Sequence, residues 1–245
     1  MTTPEENAAI TPLVSVIIPV YNGDRFLAAA LQSVEDQDYP RREIVVADDG
    51  SDDDTASIAR AWSGVQYVWH PHQGLAATRN AGLAAARGDL VAFLDHDDLW
   101  PPHKLRMQVE YLMRHPDVEY LVAHLRNFLE PGCERPSWLK PDLLDSEQPA
   151  FSTGTLLARR TMFDRVGRFD TRFTIGDDTD WFARAHAAGI AGAMLPDVLL
   201  FRRIHDRNHT GQTLHLVQGT TLGILKASLD RRRRRAAPLD ARETS

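Results

Sequence analysis

Apolar positions in the first half of the chain switch between unbroken runs and spaced repeats. Val14 to Val20 (VSVIIPV) is a β-branched run of strand length, the pattern of a strand buried on both faces. Asn22-Gly23 breaks it, and Phe26, Leu27, Ala30, Leu31 and Val34 then recur at helical spacing. Ile44 to Ala47 reads as a second buried strand, ending in Asp48-Asp49-Gly50; a short helix follows, with Asp52, Asp53 and Asp54 near its start. Val65 to Trp69 is a third strand, and Gly74 to Arg87 an Ala-rich helix stopped by Gly88. Leu90 to Leu94 is a fourth strand that runs straight into Asp95-His96-Asp97-Asp98. Pro101-Pro102 then opens a helix with Leu105, Val109, Leu112 and Met113 on one face.

Four strand–helix units in a row predict an α/β fold with a mostly parallel central sheet and helices on both faces. Ligands of such sheets bind beyond the carboxyl ends of the strands. Tyr21, Asp48-Asp49 and Asp95 to Asp98 fall at those ends. The second half is less regular. Residues 126–152 are rich in Pro, Glu and Asp and read as a long loop. Leu156 to Ala158 reads as a strand, Asp178 to Ala188 as a helix, Val198 to Phe201 as a strand and Leu214 to Leu229 as a helix.

Composition narrows the function. The 245 residues are 43% hydrophobic and 25% charged, enough for one large well-buried domain. The net charge is -6, but the last twenty residues, with Arg231–Arg235 among them, hold seven basic and three acidic groups. The preceding body is therefore strongly acidic, which excludes a nucleic-acid partner and suits a divalent cation. Cys133 is the sole cysteine, so an internal disulfide and a multi-cysteine metal site are excluded. That agrees with a reducing, cytoplasmic setting. The polar, acidic N-terminus does not read as a signal peptide, and no apolar run approaches a membrane span.

The candidate chemistry lies in acidic clusters. Neither a G-x-G-x-x-G nor a G-x-x-x-x-G-K-[ST] sequence occurs, so a bound nucleotide would have its phosphates neutralised by a metal rather than a glycine cradle. In Asp95-His96-Asp97-Asp98, carboxylates two apart at a strand end suit Mg²⁺ or Mn²⁺ bridged to a diphosphate; the competing reading is a turn in which Asp98 supports the next helix. Asp52 to Asp54 are assigned to a helix start, whereas Asp49 could accept a ring N–H of a nucleobase. Tyr21 suits stacking on that base, or ordinary packing. Arg79, beside Asn80 in the Ala-rich helix, suits a diphosphate, against the commoner reading of a surface arginine. Asp177, Asp178 and Asp180 precede Trp181: one acid suffices for capping, so a carboxylate here suits a general base and Trp181 an apolar face for a sugar. His205 would complete a metal site begun by Asp97, or serve structurally.

In order, VSVIIPVYNG, ADDGSDDDT, GLAATRNAGLAAARGDLVAFLDHDD, LLARRTMFDRVGRFD, GDDTDWFARAHAAG and FRRIHDRNHT resemble the motifs of glycosyltransferase family 2, over about residues 13–210. The resemblance implies a GT-A fold and an inverting, hexosyl-type transfer from a nucleotide-sugar donor, a UDP-sugar first of all. It implies that Pro19, Tyr21, Asp49 and Arg79 hold the nucleoside diphosphate. Asp95 then lies near the ribose and Asp97 on the metal, Mn²⁺ or Mg²⁺, with His205 approaching it. The family usually has Glu-Asp where this chain has Asp177-Asp178, which makes Asp178 the expected base and leaves Asp177, with Trp181, to the acceptor. A Q-x-x-R-W motif, carried by the processive members, is missing, which implies single addition. The expected layout is a disordered tail at 1–12, a catalytic domain at 13–212 and a helix with basic tail at 213–245. Within the domain, 13–123 is the nucleotide-binding half and 124–212 the acceptor half. Arg231–Arg235 suit peripheral contact with the inner face of a membrane, or a solvated tail. The acceptor class, whether glycan, lipid-linked, peptide or small molecule, stays open. The rivals are a nucleotidyltransferase and a non-catalytic nucleotide- or sugar-binding relative.

Overall fold

The computed structural model describes residues 11–208. Residues 1–10 of the expected N-terminal tail, the 214–229 helix and the arginine run lie outside them, while Pro12, at the end of that tail, is buried and its carbonyl accepts the Tyr39 hydroxyl. The elements are β1 (Val14–Val20), α1 (Leu27–Glu35), β2 (Arg42–Asp48), α2 (Thr55–Ala61), β3 (Val65–Trp69), α3 (Leu75–Ala85), β4 (Leu90–Phe93), α4 (Lys104–Arg114), β5 (Tyr120–Leu129), β6 (Glu147–Ala150), β7 (Leu157–Arg159), α5 (Thr161–Val166), α6 (Asp177–Ala187) and β8 (Gly192–Ile204). One eight-stranded sheet has the order β3-β2-β1-β4-β7-β5-β6, with β8 also paired to β5. The first four strands are mutually parallel; β7 is antiparallel to β4 and to β5, and β8 is parallel to β5.

Every residue of β1 is buried, because both faces of the sheet are covered. The period of two sorts its side chains. Val14, Val16, Ile18 and Val20 join the core beneath α1 and α4, with Leu27, Leu31, Leu105 and Leu112. Ile17 joins the opposite core beneath α3, α5 and α6, with Leu83, Phe163 and Trp181.

The 126–152 loop is a partial correction. β5 continues to Leu129, β6 returns antiparallel from Glu147, and irregular backbone with one 3-10 turn (Pro141–Leu143) fills only the stretch between. β5 is paired along both edges, so Arg126 and Asn127 are held in the strand despite their polarity; the Asn127 amide donates to the Leu143 carbonyl at 2.8 Å. The last strand begins six residues before Val198. Its register jumps from Ala123↔Leu195 to His124↔Val198, so Pro196, which lacks an N–H, sits in a bulge and breaks no ladder bond. Among the described residues no helix is long and apolar enough to cross a membrane.

Candidate active site

Two reversals of direction, from β4 to β7 and from β7 to β5, leave β5 and β8 pointing the same way as β1, β2 and β4. With β3, which is parallel to β2, six strands therefore end at one edge. Tyr21, Asp49, Asp95 to Asp98 and His205 follow four of those ends. A cleft of about 510 Å³ opens there, lined by Pro19, Tyr21, Asp49, His72, Asp95, Asp97 and His205 among others.

On the β1–β2 side, the buried Asp49 carboxylate accepts the backbone amides of Gln73 (2.7 Å) and Gly74 (2.9 Å). His72 Nδ1 lies 2.9 Å from it. Asp49 thus fixes the loop that enters α3. The Tyr21 ring, 46% exposed, tilts over His72 with centroids 4.4 Å apart, which leaves an aromatic face open to the cleft. Asp48 has a structural role: it is fully buried and accepts the Tyr67 hydroxyl and the Ser51 amide. Asp53 accepts the amides of Asp24 and Thr55, joining the turn after β1 to the start of α2.

At the end of β4 the three aspartates divide. Asp97 Oδ2 is 3.0 Å from His205 Nε2 and 3.4 Å from the Asn208 amide nitrogen. Burial pushes the Asp97 carboxyl up, but the His205 hydrogen bond and the charges of His96 and His205 outweigh it and hold it down to about 2. Asp98 does not support the next helix. It is buried and accepts the Arg203 amide at 2.9 Å, pinning the segment to β8, and burial raises its carboxyl well above the usual range. Arg203 donates to the Asp97 carbonyl, pairs with Glu130 and lies between the Phe26 and Phe128 rings, so it belongs to the wall.

The residues present fit a divalent cation. Asp97 would supply a carboxylate oxygen and His205 a ring nitrogen, donor types that hold Mn²⁺ or Mg²⁺, from positions 3.0 Å apart. His205 Nδ1 accepts the Arg207 amide at 3.2 Å, so neutral His205 keeps its proton on Nε2. Ligation through Nε2 requires that proton to move and that bond to open, whereas Asp97 needs no change. Among the described residues no three His, Cys, Asp or Glu side chains form a metal cluster.

Arg79, expected on a diphosphate, is instead buried between two carboxylates. Nη1 lies 2.8 Å from Asp177 and Nη2 3.1 Å from Asp95. Two expectations for the acceptor side are overturned. Asp177 is 2% exposed and held by Arg79, so it does not face an acceptor. Trp181 is fully buried, donates Nε1–H to the Gly167 carbonyl at 3.0 Å and stacks on Phe163, so it offers no face to a sugar. Asp178 is half-buried and accepts the Thr179 amide. Burial raises its carboxyl, the Arg79 charge pulls it back, and Asp177 and Asp95 push it further up; the net direction is upward.

His72, Arg202 and Arg207 also line the cleft and went unmarked in the sequence. His72 follows the end of β3, so the strand-end rule applied to that strand would have found it. The two arginines follow no comparable rule; with Arg25 they bring positive charge to a cleft whose strand ends carry acids.

Residues 15–171 match the family model described as Glycosyl transferase family 2. The chain is similar to the uncharacterized glycosyltransferase RT0329 of Rickettsia typhi, 28% identical over 221 residues, which is 85% of this chain and 69% of the relative. Its fold is similar to that of the mannosyltransferase PcManGT from Pyrobaculum calidifontis, solved in complex with GDP-Man and Mn²⁺, at 26% identity and a TM-score of 0.67. That match covers 88% of this chain and 65% of the other. S. aureus TarS 1-349, solved in complex with UDP-GlcNAc, matches at 21% identity and a TM-score of 0.68, over 81% of this chain and 60% of that one. The chain thus spans under two thirds of those solved chains. With the family model matched along most of its length, and the nucleotide-side motifs gathered on one edge of a mostly parallel sheet, the chain belongs to glycosyl transferase family 2 and is a glycosyltransferase of GT-A fold.

Proposed function

We propose that this glycosyltransferase moves one sugar from a nucleotide-sugar donor to an acceptor in a single inverting displacement, with Mn²⁺ or Mg²⁺ bound. The observation that carries the reading is the line of contacts across the cleft edge. It runs from His205 through Asp97 at 3.0 Å, and from Asp95 through Arg79 to Asp177, the neighbour of Asp178.

Tyr21 stacks on the base beside Asp49, Pro19 lines the same end of the cleft, and Asp95 faces the ribose. Asp97 is the principal holder of the cation, with His205 beside it; when bound, the cation supplies positive charge against the departing diphosphate. Arg202 and Arg207 add charge from the β8 side. Asp178 takes the proton of the acceptor hydroxyl as its oxygen attacks the anomeric carbon and the bond to the diphosphate breaks. One displacement from the far side inverts that carbon. UDP is the expected carrier. The solved neighbours hold UDP-GlcNAc and GDP-Man, so both bases belong in the test.

The test is calorimetric titration with UDP and with GDP, with and without Mn²⁺, in the natural chain and in Asp97→Ala. Mn²⁺ should tighten binding by about tenfold or more in the natural chain, a gain of roughly 1.4 kcal/mol. In Asp97→Ala that gain should vanish. Equal affinity under all conditions removes the metal role of Asp97.

A further inference from the structure

We infer that Arg79 is a positioning residue, a buried strut that ties the acid after β4 to the start of α6 and so sets where Asp178 stands relative to the donor. The inference rests on the proposed function above. The Arg79 side chain is 4% exposed, and its two terminal nitrogens go to different carboxylates, Asp95 at 3.1 Å and Asp177 at 2.8 Å. The next residue repeats the link: the Asn80 amide donates to the Phe169 carbonyl at 2.8 Å and accepts the Phe169 N–H at 3.0 Å. The Arg79 guanidinium itself lies 5.7 Å from the Phe169 ring. Two consecutive side chains of α3 are therefore bound to the segment that leads into α6.

Charge points the same way. One guanidinium faces Asp95 and Asp177 and lies in the field of Asp178, so it carries no positive surplus for a diphosphate. Its planar fork can serve two carboxylates in fixed directions, which a lysine ammonium cannot. A base displaced by about 1 Å costs on the order of 10²-fold in rate, while the nucleotide keeps its other holders at Tyr21, Asp49 and Asp97.

The experiment compares Arg79→Lys and Asp177→Asn with the natural chain by three readouts. These are calorimetry of UDP and GDP with Mn²⁺, the rate of nucleoside diphosphate release from UDP- and GDP-sugars with water as acceptor, and amide hydrogen exchange over residues 176–181. Both variants should lower kcat by about 100-fold, leave KM and nucleotide Kd within about threefold, and raise exchange at the start of α6 by about tenfold. Nucleotide affinity lowered tenfold in Arg79→Lys with exchange unchanged makes Arg79 a donor ligand and overturns the strut. Full turnover in Asp177→Asn overturns it too. A natural chain that binds neither nucleotide removes the functional reading, and the exchange measurement then tests the strut by itself.

Discussion

Asp177 is held at 2.8 Å by Arg79, whereas the half-buried Asp178 carboxylate accepts only its neighbour's amide and hydroxyl. Adjacent acids that look interchangeable in the sequence thus have different capacities, and only the second is free to take a proton. Asn at 178 keeps size and hydrogen bonding but accepts no proton, so Asp178→Asn should lower turnover by about 10²- to 10⁴-fold with UDP affinity retained. As the proposed base Asp178 works deprotonated, and its carboxyl is shifted upward. Activity should therefore fall with decreasing pH along a limb displaced above the ordinary aspartate value of about 3.9. A kcat profile against pH checks both points; undiminished turnover in Asp178→Asn would return the acids to a helix start. A second titratable group lies outside the site. Lys104 is fully buried, and its ammonium meets the Gln108 amide oxygen at 2.6 Å and the Trp100 ring at 4.1 Å. Burial drives its pKa well below the usual lysine value. The unfolded chain keeps that proton up to about pH 10.4, so between the two values it binds more protons than the native state. Stability must then rise with pH through that window and be fully present only above it. Lys104→Met should flatten this dependence and raise stability at neutral pH by an amount on the order of 1 kcal/mol. Urea midpoints at several pH values decide; a lower midpoint at pH 7 contradicts the argument.

The elements that carry the site differ in how far the sequence discloses them. β1 and β3 have the bounds read from the pattern, and β2 and β4 differ by at most two residues at an end; the buried β1 and β4 leave a continuous apolar run, while the edge strand β3 is marked by its β-branched and aromatic residues. β5 leaves none: His124, Arg126 and Asn127 interrupt it, since its second half approaches the polar cleft edge while both its edges stay paired. The short α5 also went unread. In α6, helical spacing was the available signal for Trp181. Asp177, Trp181 and Ala185 are four apart and all buried, so the tryptophan shares the core face, while Asp178 falls on the neighbouring one. The site residues at strand ends were therefore legible, and those set by a helix face or by a distant partner, such as Arg79 with Asp177, were not. The packing of α3 gives a test at this scale. A Cβ at Gly82 would stand 2.4 Å from Ile17 Cγ2, in a fully buried β-branched side chain that cannot swing away. Alanine gains about 1 kcal/mol of helix propensity there, but overpacking costs about 1–3 kcal/mol. Gly82→Ala should thus destabilise by about 1 kcal/mol. Because Arg79 lies one turn earlier on the same helix, it should also disturb the strut. A denaturation midpoint equal to or above that of the natural chain shows that α3 has room.

The cleft joins parts of the molecule that are far apart in sequence: the turn after β1, the ends of β2 and β4, and the turn after β8. A ligand that touches all of them binds the folded chain and not the unfolded one, so it must stabilise the whole. Nucleotide at about one hundred times its Kd contributes about 2.7 kcal/mol by mass action. For a protein of this size each kcal/mol moves the melting temperature by about 2–4 °C, so UDP or GDP with Mn²⁺ should raise it by about 5–10 °C. In the proposed reading the acidic edge makes the cation decisive: Asp95 and Asp97 flank the diphosphate, and without a metal their charge opposes it, with Arg202 and Arg207 as partial compensation. Chelation should therefore remove most of the shift. Asp97→Ala should lose the metal-dependent part of the shift, and Asp178→Asn should keep all of it, since the base acts after the donor is bound. Thermal denaturation of the three proteins with nucleotide, with and without Mn²⁺, separates holding the donor from reacting it. A shift of equal size after chelation would mean that the arginines alone neutralise the diphosphate, and Asp97 would then have no metal to hold.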